Sequence, residues 1–322
     1  MTGTTLTHDL RPAAAGHDEA ALALKGRARA ALRRDLIGYA FLLPWLVGFL
    51  VFSLGPVSAS LYLSFTRFDM LRPAEWIGFD NYVRMFTADP RFWQALRVTF
   101  TYLLMEVPLK LAFALLVAVL LDKGIRGGSL YRALFYIPSL LGGSIAIAVL
   151  WRRLFEGNGT VNQILHATLG IQGPSWISNP DTAIYTLVLL AVWQFGSPMI
   201  IFLAGLRQIP RDLYEAASMD GAGPMRKFVR ITLPMLAPVI FFNMVLQTIE
   251  GFKVFTPAFI LSGGTGGPVD STLVYTLYLY HEAFHYFRMG YASAMAWVLL
   301  LIIGFFTSIS FLTSRYWVHY DD

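Results

Sequence analysis

The chain has 322 residues, 56% of them hydrophobic and 14% charged, with a formal net charge of +5 and no cysteine. A soluble domain carries roughly 25% charged residues, so this chain has too few charges for a water-facing surface of its size. The missing cysteines exclude a disulfide framework and a thiolate metal site. The positive balance calls for no nucleic acid, because lysine and arginine gather in loops that face an anionic leaflet.

Residues 1–35 are polar and rich in alanine and charge, with no signal-peptide core, and read as a cytoplasmic tail, helical from about Ala20 to Arg34. A helix needs about 20 mostly apolar residues to cross a bilayer. Six such runs follow, at about 36–64, 98–121, 130–151, 183–206, 235–261 and 289–312, and residues 316–322 form a short C-terminal tail. The first run contains Pro44 and Pro56 and acts as an uncleaved signal-anchor. The fold class expected is an all-α membrane protein with six transmembrane helices and a membrane domain over 36–315.

Basic residues set the orientation. With the N-terminus inside, the inner segments hold 15 lysines and arginines and the outer ones 6, or 8 with Arg152 and Arg153 at a helix end. Both termini are therefore expected in the cytoplasm, in a multi-pass protein of the bacterial inner membrane.

Ionisable residues inside spans are costly and face protein or water. Glu106 and Lys110, four apart in the second run, fall on one helical face and read as an internal ion pair. In the fifth run Asn243, Gln247 and Glu250 follow i, i+4, i+7, with Lys253 three further on. This polar stripe reads either as a wall of a translocation path or as contact with a partner helix. Planar amides and carboxylates suit sugar hydroxyls, and Trp193, Tyr291 and Trp297 are aromatic candidates for the same cavity.

The inner segment between the fourth and fifth runs carries the most information. Pro210 suits a first helical turn, and Leu213 to Asp220 reads as a short helix stopped by Gly221 and Gly223, after which Pro224 opens another. Ala216 and Ala217 give it a small-residue face and Glu215 a carboxylate. The segment Glu215-Ala216-Ala217, three residues, Gly221, nine residues, Ile231, one residue, Leu233-Pro234 matches the EAA signature of importer permeases at every position. The chain resembles the sugar-permease branch of that family, close to the larger permease of maltose and glycerol-3-phosphate importers. Further stretches carry the likeness: Gly78-Phe-Asp-Asn81-Tyr82, Tyr131-Arg132 through Ile137-Pro138, Gly159-Thr-Val-Asn162, Phe255-Thr-Pro through Gly263-Gly264, and Gly290-Tyr-Ala-Ser-Ala294.

The resemblance implies a type I importer permease fold whose EAA elbow is a coupling helix docked in a groove of an ATPase subunit. Glu215 would pair with a basic ATPase residue, Ala216 and Ala217 would allow close docking, and Gly221 would supply the turn. It implies as partners a homologous second permease, two ATPase subunits and an extracytoplasmic substrate-binding protein. The cargo expected is a carbohydrate, with glycerophosphodiesters or acidic oligosaccharides as the alternative.

No catalytic residue and no metal or cofactor site is assigned to the chain, since it lacks a G-x-x-x-x-G-K-[ST] loop; ATP and magnesium belong to the ATPase partners. His281-Glu-Ala-Phe-His285 matches a zinc-protease pattern but brings no third ligand near. A membrane zinc protease and an ion-coupled secondary transporter are the rival readings; no inverted repeat supports the latter.

Overall fold

The computed structural model describes residue 39, residues 41–124 and residues 127–317. The predicted tail at 1–35 and residues 318–322 lie outside the described residues. The chain divides into two units, residues 1–60 and 61–322, each described by itself.

Residues 41–60 belong to helix α1 (Phe41–Ser64), apolar all round and exposed along its length, as expected of a helix that meets lipid. Its middle widens to a π-turn at Leu50–Leu54, just before Pro56. Proline has no N–H and clashes with the carbonyl four residues back, and the wider turn makes room for it.

In the second unit a short antiparallel pair, β1 (Thr66–Arg67) and β2 (Glu75–Trp76), leads into α2 (Asp80–Thr87). Helix α3 (Pro90–Asp122) is the long central helix, capped by the Asp89 carboxylate on the Phe92 amide with Pro90 at its first position. Then come α4 (Gly128–Leu141), α5 (Ile145–Phe155), α6 (Thr160–Leu169), α7 (Pro180–Trp193) and α8 (Gly196–Leu206). The elbow is α9 (Arg211–Met219) and α10 (Pro224–Met235). Helices α11 (Ala237–Phe252), α12 (Thr256–Leu261), α13 (Tyr275–Tyr280) and α14 (Met289–Ser314) complete the chain.

Helices α1, α3 and α14 are each long and apolar enough to span a membrane unbroken. The other three spans are broken helix pairs. The stretch Ile145–Leu169 bends from α4 by 95°, α8 from α7 by 44° and α11 from α10 by 66°. Continuous runs of apolar residues conceal these breaks, because hydropathy reports the solvent and not the backbone. The bends fall at Gly142-Gly143, at Gln194-Phe195 and at Leu236. The fifth run, expected to continue to 261, is helical only to Phe252, and α12 restarts beyond a non-helical link.

Broken backbone at membrane depth needs internal partners, and the second bend has them. Ser139 of α4 donates to the Gln194 carbonyl at 2.9 Å and accepts from the Ser197 amide at 3.0 Å. Gly196 permits this crossing: a Cβ there would lie 2.8 Å from the Tyr136 Cα.

Helix α3 packs against α7, α8 and α11. One apolar core at its first half gathers Phe92, Leu187, Phe252, Tyr275 and Met295, and another at its second half gathers Ala114, Ala118, Met199, Phe202 and Leu236. Two motifs carrying the family resemblance are architectural. Asn81 donates from Nδ2 to the carbonyls of Ser64 and Thr66, both at 2.9 Å, closing the exit of α1. Asn162 donates to the carbonyls of Gly157 and Pro174 and accepts from the Trp176 indole at 2.7 Å, which holds the loop after α6.

Candidate functional site

The elbow is built as a rigid bracket. Pro210 stands just before α9 with extended backbone. At the far end Gly221 takes φ +73°, and the amide of Ala222 reaches back to the Ala217 carbonyl at 2.8 Å. Such a left-handed helix stop suits glycine, which has no Cβ to strain. Tyr214 and Thr232 share a hydroxyl hydrogen bond of 2.9 Å across the elbow. Tyr214 and Ile231 also rest on the second core, so the elbow rides on α3, α8 and α11. A second tie runs from Lys227 Nζ to Ser218 Oγ at 2.5 Å.

The other side of α9 is bare. Glu215, Ala216 and Met219 are exposed, Met219 at 89%. Among the described residues Glu215 makes no ion pair. Ala217 is half-buried and lines a hollow beside Arg226, Lys227 and Arg230. Ile231 and Leu233 are half-buried, whereas Pro234 is exposed at the start of the last helical turn. All seven residues of the signature lie in this one bracket. The Tyr214–Thr232 tie, which the sequence reading did not single out, is what fastens it.

The second feature is a cleft of about 300 Å³ in the membrane region. It is lined by Tyr102, Glu106 and Lys110 of α3, by Gln194 at the α7–α8 break, and by Glu250, Lys253 and Thr256 around the end of α11. Gly143, at the α4–α5 break, also lines it. Two of the three span breaks and the non-helical link after α11 therefore meet at one cavity. Irregular backbone at this depth is tolerated where it is buried in protein or lines a water-filled space, and transporters build midplane sites this way.

The polar stripe on α11 runs from core to cleft. Asn243 is fully buried, donates to the Val239 carbonyl, and has no partner for Oδ1 among the described residues. Gln247 is half-buried and does not line the cleft. Glu250 and Lys253 do line it and are paired at 2.8 Å. The three stripe residues share a face, but the cleft opens only beside the last turn of α11. Trp193 stacks on Trp151 at 5.6 Å in a small core with Leu190 and Leu261. Tyr291 is 3% exposed and bonded to Asp89 at the start of α3. Trp297 is half-buried in α14. Of the six path residues read from sequence, the structure brings Glu250 and Lys253 together and sets the other four apart from them. The Glu106–Lys110 pair, read as internal, joins them in the cleft wall with Gln194.

The His281–Glu282–His285 segment is a π-turn, not an α-helix. The Nε2 atom of His281 lies 2.6 Å from the Gly264 carbonyl, to which it donates, and Glu282 is held by Arg288 at 3.1 Å. That nitrogen is closed to zinc, which leaves Nδ1 as the ring's one free ligand atom. Among the described residues no group of three or more His, Asp or Glu could hold a metal ion.

Unbroken and broken apolar spans, a polar cleft and a two-sided elbow define a multi-pass membrane permease. Residues 85–316 match the family described as "Binding-protein-dependent transport system inner membrane component", and the chain belongs to that family. It is thus the inner-membrane permease subunit of a binding-protein-dependent importer. It is 54% identical over 295 residues to the probable ABC transporter permease protein YesP of Bacillus subtilis, covering 92% of this chain and 96% of the relative. It is 33% identical to the lactose transport system permease protein LacF of Rhizobium radiobacter, covering 89% and 97%. The arabinooligosaccharides transport system permease protein AraP of B. subtilis is 35% identical, covering 82% and 84%. Among solved structures, a chain of a bacterial ABC transporter that imports the acidic polysaccharide alginate superposes with TM-score 0.76 at 24% identity, over 90% of this chain and 98% of that one. The fold is therefore that of a type I importer permease.

Proposed function

We propose that this chain is one half of the membrane channel of an ATP-driven carbohydrate importer and that its elbow couples the channel to an ATPase. The observation that carries the coupling role is the two-sided elbow. One side is fastened through Tyr214, Thr232 and Ile231 to three membrane helices, and the other presents Glu215, Ala216 and Met219 bare. A partner gripping the bare side moves α8 and α11 directly. Glu215 would meet a basic residue of the ATPase, and Ala216 and Ala217 would let the surfaces close.

In this reading both termini and the elbow are cytoplasmic, as the lysine and arginine count favours. A homologous permease forms the other half of the channel. Two ATPase subunits hydrolyse ATP with magnesium, and a substrate-binding protein delivers cargo from outside. Substrate passes the cleft at Glu250 and Lys253, while Asn243 and Gln247 continue the same face of α11 away from it and Trp193 and Tyr291 serve the packing of α7 and α14.

The cargo class follows from the relatives, two of which are named for lactose and arabinooligosaccharides, and from a cleft rich in groups that bond hydroxyls. An acidic oligosaccharide is the second reading, favoured by two lysines, Lys110 and Lys253, in the cleft wall. The experiment is Glu215→Ala in the assembled importer in proteoliposomes. Uptake is expected to be lost with membrane insertion and subunit assembly intact, and normal uptake would refute the coupling role.

A further inference from the structure

The Glu106–Lys110 pair belongs neither to the elbow nor to the polar stripe on α11. The Glu106 side chain is 2% exposed. Its Oε1 accepts from Lys110 Nζ at 3.1 Å. Its Oε2 is buried and has no hydrogen-bond partner among the described residues. Buried polar atoms nearly always have partners, and an exception calls for an explanation.

Three observations say what that oxygen meets. Glu106 lines the cleft together with Gln194, Glu250 and Lys253. Gly251 flanks it: a Cβ at that position would collide with Leu103 and touch Oε2 at 3.4 Å, so only glycine fits beside the carboxylate. Both lysines of the cleft wall already hold a carboxylate, Lys110 that of Glu106 and Lys253 that of Glu250. No protein donor reaches Oε2, and the hydroxyl is a neutral donor that every carbohydrate carries in number.

Resting on the reading of the cleft as the path, we propose that Glu106 Oε2 accepts a hydrogen bond from a hydroxyl of the passing carbohydrate and so selects among sugars. Lys110 is its positioning residue: it holds Oε1 and leaves Oε2 without a protein partner. Neutral and acidic sugars both carry such a hydroxyl, so the role is the same for either cargo.

The test uses the importer assembled with its other subunits in proteoliposomes. Lactose, arabinotriose and a mannuronate trisaccharide are screened for uptake, and the fastest of them is compared with its monodeoxy derivatives. The wild-type chain is expected to disfavour one derivative by about tenfold to a hundredfold, as for a lost hydrogen bond to a charged group. Glu106→Leu is expected to bring the parent sugar down to the rate of that derivative and shrink the difference to within about twofold. Glu106→Gln, which keeps the size, is expected to shrink it at least several-fold and guards against failure of the leucine variant to assemble.

Wild-type discrimination among the derivatives in either variant would overturn the proposal. A separate arm tests the path itself. The chain has no cysteine, so Thr256→Cys places a single thiol in the cleft wall, and maleimide is compared on this variant and on the wild-type chain. If maleimide at 256 leaves uptake untouched, the cleft is not the path. If it blocks uptake while Glu106→Gln discriminates as the wild type does, the path stands and the Glu106 role falls.

Discussion

The Tyr291 hydroxyl donates to the Asp89 carboxylate at 2.5 Å, joining the first turn of α14 to the cap of α3. The Tyr278 hydroxyl of α13 reaches the same oxygen at 2.6 Å, and the other oxygen caps the Phe92 amide at 3.1 Å. One 8%-exposed carboxylate thus binds three helices, and Arg84 lies 4.9 Å above the Tyr291 ring. An aromatic that sequence reading assigns to a sugar cavity is a fastener of the bundle.

Asp89→Ala should therefore destabilise more than the loss of one contact. The cap is worth about 1 kcal/mol, and each tyrosine left without an acceptor in a buried place adds roughly 1–3 kcal/mol. Thermal unfolding in detergent should show a large drop for Asp89→Ala and smaller, similar drops for Tyr278→Phe and Tyr291→Phe. Sugar preference of the Tyr291→Phe importer should match the wild type; a changed preference would return Tyr291 to the path.

The same clasp carries a pH signature. Burial, and then the bond to Asp89, hold the Tyr278 phenol well above its usual range. A group whose folded value is raised contributes stability in full below its unfolded value, about pH 10 for tyrosine, and loses it as pH climbs toward the folded value. The gap in melting temperature between wild type and Tyr278→Phe should stay constant to about pH 10 and close above it. A gap that closes near neutral pH would mean that another group governs the clasp.

The Tyr214–Thr232 bond gives the elbow a separable test. If it transmits force from α9 to α10 and α11, Tyr214→Phe should leave ATP hydrolysis by the assembled importer near normal and lower the sugar moved per ATP. Loss of a bond worth about 1 kcal/mol corresponds to roughly a fivefold fall in that ratio. Equal loss of both activities would point instead to failed docking.

The elbow was legible in the sequence because its determinants are local. Glycines stop helices, prolines start them, and a carboxylate beside two alanines marks an exposed small-residue face within a few turns. The six spans were legible because the bilayer imposes their length. The breaks were not, since Gly142-Gly143 and Gln194-Phe195 sit inside apolar runs and at the second the freed backbone is satisfied by a distant residue, Ser139. The cleft was half legible. Glu250 and Lys253 stood out as charges in a span, but their neighbours Glu106 and Gln194 join them only through the packing of α3, α7 and α11. Burial sorted the rest: Asn243 and Tyr291 are polar groups whose sequence context resembles that of Glu250, yet the fold puts them in its core.

The His281–His285 pattern yields the last prediction. Its glutamate, Glu282, is 2% exposed and its charge partner is Arg288, at 3.1 Å and half-exposed. The main chain closes the same turn, with the Arg288 amide donating to the Glu282 carbonyl at 2.7 Å. Removing one partner of a buried ion pair leaves an uncompensated charge and typically costs about 3–5 kcal/mol. Because Arg288 keeps some contact with water, the lower end of that range is expected for Arg288→Met, seen as a fall in melting temperature. Zinc should neither stabilise the wild-type protein nor rescue the variant, since among the described residues no third ligand joins the two histidines and Glu282 is already engaged by Arg288. A zinc-dependent rise in melting temperature, lost in His285→Ala, would revive the metal reading of this segment.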